Sequence, residues 1–494
     1  MTVAPGRSAD GMTWWQRILV GLPVLVLATF AVVATAVPAI HVRQLSILDE
    51  TSHIDSVFKV PAIDRSGEKY SERTLDEVSC RGGIQQWPDW QPPPCGIPQG
   101  VPADDYAIGS GGYNTADIHP PTYYFLTAAL STAASWFVDA DPVSLMRLTG
   151  GLYLAVGISL SWLLARRLGA NRWTAFGACG LLVTAPNVLY MSSIVNVDAS
   201  VIMVSAAFGL LVVAFWERRS AWWVLPLLAM GLTLVKLTNL GALIAASLFV
   251  VFSAATARIV ASGRTVEEVW KAPSSHDDHP SAYLHWSAHL TPSVAVVRWR
   301  ENSRRWWLGN GRGTIRALGL SGLMGLSAIT VTLAWSRIQA ARAVIPPADL
   351  WFNQQFKVDH LSLVMVGGSL LRFWEPRDLW FRWLSGRDYL ISPLLMVTAA
   401  GLLALLVASW FRNRRVFPIV TAALLTMAIA APVYVVTNYV VNGVYFDVNF
   451  RYGLSVLPFV AAAVGAGLRT RVAGAALSTL AVVGMITTLV ALPW

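Results

Sequence analysis

Apolar runs of about twenty residues, the length that crosses the hydrocarbon core of a bilayer, recur along the chain. The first covers roughly 17–40. Ten more follow at approximately 143–166, 172–193, 198–216, 221–236, 238–257, 314–336, 390–411, 416–438, 451–468 and 472–492. Composition agrees with that pattern. Of 494 residues, 55% are hydrophobic and only 13% are charged, whereas soluble domains carry about 25% charged residues. So little charge cannot cover a water-soluble fold, which excludes a soluble enzyme, a coiled coil and a disordered chain. The expected fold is an all-α polytopic membrane protein with about eleven transmembrane helices. The first run has no small-residue cleavage site of the signal-peptide kind and reads as a retained helix.

Basic residues set the orientation. A polar segment at 41–118 holds twelve Asp/Glu against six Lys/Arg, and His119-Pro120-Pro121 then opens an apolar run to Val138. If that run spanned, Arg166/Arg167, Arg218/Arg219, the basic loop 258–316 and Arg412/Arg414/Arg415 would all fall outside. As an interfacial helix it leaves every one of them inside, and the charge rule selects this arrangement. The N-terminus is then cytoplasmic and the C-terminus external, in the plasma membrane. The units become 1–40 (N-terminal segment and first span), 41–142 (external acidic loop with interfacial helix), 143–257 (core spans), 258–313 (cytoplasmic basic loop) and 314–494 (C-terminal spans with an external segment at 337–389). The net charge of +9 is topology rather than a preference for nucleic acid. No inverted repeat of the secondary-transporter kind is evident.

Cys80 and Cys95 share the first loop and face an oxidising compartment, where disulfides persist. A bond between them closes a short Trp/Pro-rich loop and contributes roughly 3 kcal/mol; the alternative is two free thiols.

Polar residues near membrane depth cost a few kcal/mol and point to function. Asp49-Glu50 follow the first span. Asn196 and Asp198 occupy a tight turn, Lys236 is one of five lysines, and Arg451-Tyr452 open a late span. Each has a plainer reading: Lys236 snorkels, Arg451 anchors at the interface, Asp198 caps a helix, and Asp49/Glu50 are solvated loop charge. All of them map to one membrane face. There, carboxylates and cations together suit holding a phosphate-linked lipid while deprotonating a nucleophile. Arg gives phosphate a planar fork and Lys a point charge.

At these residues the chain resembles the GT-C superfamily of multispanning glycosyltransferases that use polyprenyl-phosphate sugars. Asp49-Glu50 is similar to the acidic pair of that family's first external loop, and His119-Pro120-Pro121-Thr122-Tyr123-Tyr124 to its HPPLYY element. Arg147 with Leu164-Ala165-Arg166-Arg167-Leu168-Gly169 resembles its second span. Asp198, the segment from Gly231 to Lys236, and Arg451-Tyr452-Gly453-Leu454 through Pro458 match further marks in order. Within the superfamily the chain looks most like members known only as predicted membrane proteins. It departs from the pattern at Leu237-Thr238-Asn239 and at Gly453-Leu454-Ser455.

The resemblance implies sugar transfer from a polyprenyl-phosphate donor to an acceptor hydroxyl on the external face, with inversion, in cell-envelope glycan or glycolipid assembly. It implies Asp49 as general base, with Glu50 orienting the acceptor or a divalent metal. Lys236 and Arg451 would hold the phosphate, while His119, Tyr123, Asn196, Asp198 and Tyr452 line the cavity. Its partners are membrane lipids, the donor lipid and a glycan, lipid or protein acceptor. The alternatives are a flippase or transporter of lipid-linked sugars and a catalytically degenerate accessory protein.

Two further clusters have simpler readings. His276, Asp277, Asp278, His279, His285 and His289 lack a zinc spacing and read as a solvated loop. Arg298, Arg300, Arg304, Arg305, Trp306 and Trp307 read as a basic-aromatic patch on anionic lipid. The aromatic-rich segment 337–389 suggests one or two interfacial helices, which either anchor the chain or guide acceptor or prenyl chain.

Overall fold

A computed structural model describes residues 14–46, 48–81, 95, 112–217, 221–237, 239–261, 312–346, 349–350, 354–374, 401, 403–408, 410, 416–445, 448, 450–468 and 470–493. The His/Asp cluster, the basic-aromatic patch, most of the 390–411 run and most of the Trp/Pro-rich loop lie outside these residues.

The described chain is helical, an all-α polytopic membrane protein. Its helices are α1 (Trp14–His41), α2 (Glu50–Phe58), α3 (Glu72–Arg81), α4 (Thr122–Ala134), α5 (Pro142–Arg167), α6 (Arg172–Val183), α7 (Pro186–Ser193), α8 (Val201–Trp216), α9 (Val224–Val235) and α10 (Leu240–Ala261). They continue with α11 (Arg312–Arg342), α12 (Leu363–Trp374), α13 (Phe417–Asn442), α14 (Leu457–Gly467) and α15 (Arg471–Val490). Among the described residues, seven helices or helix-plus-turn units are long and apolar enough to cross a membrane, or eight if α6 and α7, bent by 61°, form one broken span. Pro186 starts α7, where its missing N–H removes a bond that would continue α6. Ten of the eleven apolar runs are thus helical, but α9 has only 12 residues. At 1.5 Å per residue it rises about 18 Å, short of the roughly 30 Å core. The apolar run after His119 forms the 13-residue α4, also too short to span.

Helix ends follow local chemistry. The Asp141 carboxylate accepts from the Ser144 N–H at 3.0 Å, and Pro142 follows it at the first helical position. Asn171 caps α6 by accepting from the Trp173 and Thr174 N–H groups, both at 2.9 Å. The bundle closes on small residues, as membrane helices do without a hydrophobic drive to associate. A Cβ on Gly177 of α6 would lie 2.5 Å from the Leu477 backbone of α15, and one on Gly157 of α5 would lie 2.7 Å from the Met203 nitrogen of α8. Around this core α1 and α8 pack on α5, α15 on α6, α9 on α11, and α10 on α13.

The described residues of the first loop form a folded cap. Asp55 of α2, fully buried, is its hub. One of its oxygens accepts from the Ser71 N–H and from the Ser71 and Thr74 hydroxyls at 2.6–2.8 Å. The other accepts from Asn114 at 2.8 Å and pairs with Lys59 at 2.7 Å. The cap is tied to the end of α11 by Gln339 to the Asp64 carbonyl and Arg342 to the Ile63 carbonyl. Cys80 and Cys95 form a disulfide with Cα atoms 4.4 Å apart. Next to it Arg81 pairs with Asp141, the cap of α5. In the 337–389 segment α11 runs on to Arg342, and α12 packs on α13 while exposing Leu363, Val364 and Leu371.

Candidate functional site

The polar residues picked from the sequence gather where the C-terminal ends of α1 and α9 meet the N-terminal ends of α5, α8 and α14, at one end of the bundle. Two ion pairs dominate. Arg451, in the 3₁₀ turn Phe450–Val456, donates from Nη1 to Asp49 Oδ2 at 2.6 Å. Lys236, the extended residue that ends α9, is paired with Asp198. They differ in solvent access: the Lys236 and Asp198 side chains are 4% and 1% exposed, whereas Arg451 and Asp49 are 18% and 46% exposed. The Tyr452 ring joins them, with Lys236 Nζ 5.0 Å and the Arg451 guanidinium carbon 5.3 Å from its centroid. That arrangement places both cations against the π-system of one ring. Tyr434 of α13 packs on Tyr452 with centroids 4.8 Å apart.

Backbone geometry aims Asp49. It precedes α2 with φ 59° and ψ 11°, the left-handed region that Asp tolerates better than most residues. It makes no cap to its own helix, so its carboxylate is directed to Arg451 instead. Burial raises the Asp49 pKa; the charge and hydrogen bond of Arg451, with smaller contributions from His53 and Lys236, outweigh that and hold it below the usual carboxylate value.

Glu50 occupies a different environment from its neighbour. It is fully buried. Its Oε1 accepts from Arg147 Nε at 2.7 Å and the Val195 N–H at 2.9 Å, and its Oε2 from Arg147 Nη2 at 2.8 Å and the Ser46 N–H at 2.7 Å. Four donors fill a carboxylate's acceptor sites. These bonds pin the turn carrying Asp49 to α5 and to the Val195 backbone. Asn196 works beside it, donating to the Leu48 carbonyl and accepting from the Asp198 N–H, both at 2.9 Å. Its position is thus a support for Asp49 and Asp198. Tyr123 is 2% exposed and packs on Tyr124 and Tyr153. It is thus enclosed within an aromatic cluster beside the polar residues.

One residue was missed. His53, one turn after Asp49 in α2, is buried. Its Nδ1 lies 2.9 Å from the Tyr124 hydroxyl, and its ring stacks on His119 with centroids 5.7 Å apart. Burial lowers its pKa to about 4, and the Arg451 and Lys236 charges act in the same direction against Asp49 and Asp198. A helical i, i+4 step from Asp49 was the available signal. His119 is likewise lowered, first by burial and then by His53; its Nδ1 is buried without a hydrogen-bond partner.

Among the described residues no group of three or more His, Cys, Asp or Glu side chains is placed to hold a metal ion. The donors do not fit a divalent cation: Asp49 and Asp198 sit on cations, and Glu50 is saturated. Chemically, the site offers two cations, one partly exposed carboxylate and an aromatic face.

No family model and no curated protein matches the sequence. Among solved structures the chain is similar to the archaeal oligosaccharyltransferase AglB from Archaeoglobus fulgidus, solved in complex with an inhibitory peptide and a dolichol-phosphate. The match is at 13% identity and a TM-score of 0.37, over 92% of this chain and 50% of that one. This chain therefore spans about half the length of that protein.

Proposed function

We propose that the chain is a membrane glycosyltransferase that moves a sugar from a polyprenyl-phosphate donor to an acceptor hydroxyl. The observation that supports it best is the convergence of Lys236–Asp198 and Arg451–Asp49 on Tyr452. The ordered motifs around these residues resemble the GT-C pattern, and the charge distribution supports an external position for this end of the bundle. Asp49 accepts the proton of the acceptor hydroxyl. The freed oxygen bonds to the anomeric carbon from the face opposite the phosphate, inverting it. The bond from that carbon to the phosphate oxygen breaks, and the electron pair leaves on polyprenyl phosphate. Lys236 and Arg451 stabilise the charge that develops on the leaving group, usually the largest catalytic contribution. Glu50 and Arg147 are positioning residues for the Asp49 turn.

Incubating membranes with radiolabelled polyprenyl-phosphate sugars tests this reading. Wild type transfers label to a new product and Asp49→Asn, equally expressed, does not. Translocation of intact donor without transfer would instead establish a flippase, and equal turnover by Asp49→Asn would remove the assignment.

A further inference from the structure

The two ion pairs leave the proposed phosphate cations neutralised before any donor arrives, and the proposed base is one of the neutralising groups. From their geometry we infer that the donor's phosphate displaces Asp49 from Arg451, so that donor binding itself releases the general base and must precede acceptor activation. This inference rests on the reading of the site as a phosphate-lipid site and concerns its regulation.

The difference between the pairs decides which one opens. Lys236 and Asp198 are almost fully enclosed, and Asp198 is further fixed through its N–H to Asn196. Separating two enclosed charges leaves each uncompensated, at a cost of several kcal/mol. Asp49 and Arg451 are partly open, so an arriving phosphate reaches Arg451 and the released carboxylate keeps contact with solvent. A phosphate offers Arg a planar bidentate partner, and Nη1, which now donates to Asp49, is one of the donors it can take. Lys236 has three ammonium donors, of which Asp198 takes one, and it shares the Tyr452 ring with Arg451, at 5.0 and 5.3 Å from the centroid.

The exchange also changes Asp49 chemically. In the resting site Arg451 overrides burial and keeps its carboxyl below the ordinary range, a poor proton acceptor. Once Arg451 is taken by phosphate, its charge no longer lowers the Asp49 pKa and a second negative charge stands nearby; both changes raise a carboxyl pKa. An acceptor arriving first meets a carboxylate tied to a cation. One arriving second meets a freed and more basic one.

Carbodiimide labelling of Asp49, which needs the protonated carboxyl, reads this directly. The purified full-length protein in detergent at pH 6 is treated with carbodiimide and an amine, alone, with a polyprenyl monophosphate or with the matching polyprenol. Asp49 modification is followed by peptide mass spectrometry, and lipid retention by native mass spectrometry. The expected result is a labelling rate about tenfold higher with the polyprenyl phosphate, equivalent to one pKa unit. The polyprenol leaves the rate unchanged. Arg451→Gln labels at the high rate without lipid, and Arg451→Lys stays near the wild-type rate. Retention of polyprenyl phosphate with unchanged or slower labelling overturns the displacement while leaving the phosphate site intact. Failure to retain the lipid removes the phosphate-site reading and this inference with it. Faster labelling with polyprenol, or in Arg451→Lys, contradicts a role for phosphate exchange.

Discussion

Glu50 and Asp49 are adjacent in sequence and opposite in surroundings, and substitution separates them. Glu50→Ala leaves the Arg147 guanidinium buried without its carboxylate, at a cost of about 3–5 kcal/mol. The expected outcome is poor yield and a lowered thermal midpoint. A Glu50→Ala protein of wild-type stability that has lost only turnover would identify Glu50 as a catalytic group. Two other residues contribute to the pH dependence of stability with opposite signs. His53 is neutral when folded, with its pKa lowered to about 4; the unfolded chain takes up its proton below about 6.5. Its contribution is present above that value and is lost as pH falls toward 4, on the order of 3 kcal/mol. Asp117, raised to about 6 by burial with Asp64 adding to it, acts with the opposite sign: its contribution is present below about 3.8 and is lost as pH rises through 6. Thermal midpoints from pH 4.5 to 7.5 check both. Asp117→Asn gains on wild type toward pH 7.5, and His53→Gln gains on wild type toward pH 4.5. Curves parallel to wild type would contradict these assignments.

Scarcity of charge made Asp49, Asp198, Lys236 and Arg451 stand out in the sequence, but their pairing was not legible there. Arg451 and Asp49 are 402 residues apart and Lys236 and Asp198 38 apart, and no local period links them. Nor was the difference between Asp49 and Glu50 legible, because two neighbouring carboxylates look alike in a sequence. The left-handed backbone at Asp49 and the buried Arg147 behind Glu50 are tertiary facts. His53 lay in plain view but reads as an ordinary loop histidine until α2 is seen to be buried.

Among the elements, apolar runs marked most helices well, because length and hydropathy decide what spans. They marked the ends of α9 poorly: Trp222 and Trp223 read as part of an apolar run, yet the helix begins at Val224 and stops before Lys236. Two predictions belong at this scale. Gly177→Val forces α6 away from α15, where even a Cβ meets the Leu477 backbone; overpacking of this kind costs about 1–3 kcal/mol. A thermal midpoint equal to wild type would show that the contact is looser than described. Loss of the Cys80–Cys95 bond in a double serine variant removes roughly 3 kcal/mol from the cap and accelerates limited proteolysis of the first loop. Unchanged proteolysis would show that the Asp55 hub alone holds the cap.

For the whole molecule, the transmembrane bundle supplies a rigid frame whose helix ends present the charged groups, and the folded first loop supplies Asp49 and His53 from the side. Joining elements so distant in sequence ties the site to the integrity of the bundle. A structure of the full-length protein bound to a polyprenyl phosphate tests the central claim most directly. The phosphate is expected within hydrogen-bond reach, about 3 Å, of both Lys236 Nζ and the Arg451 guanidinium, beside Tyr452. A phosphate bound elsewhere, with neither cation in contact, would contradict it.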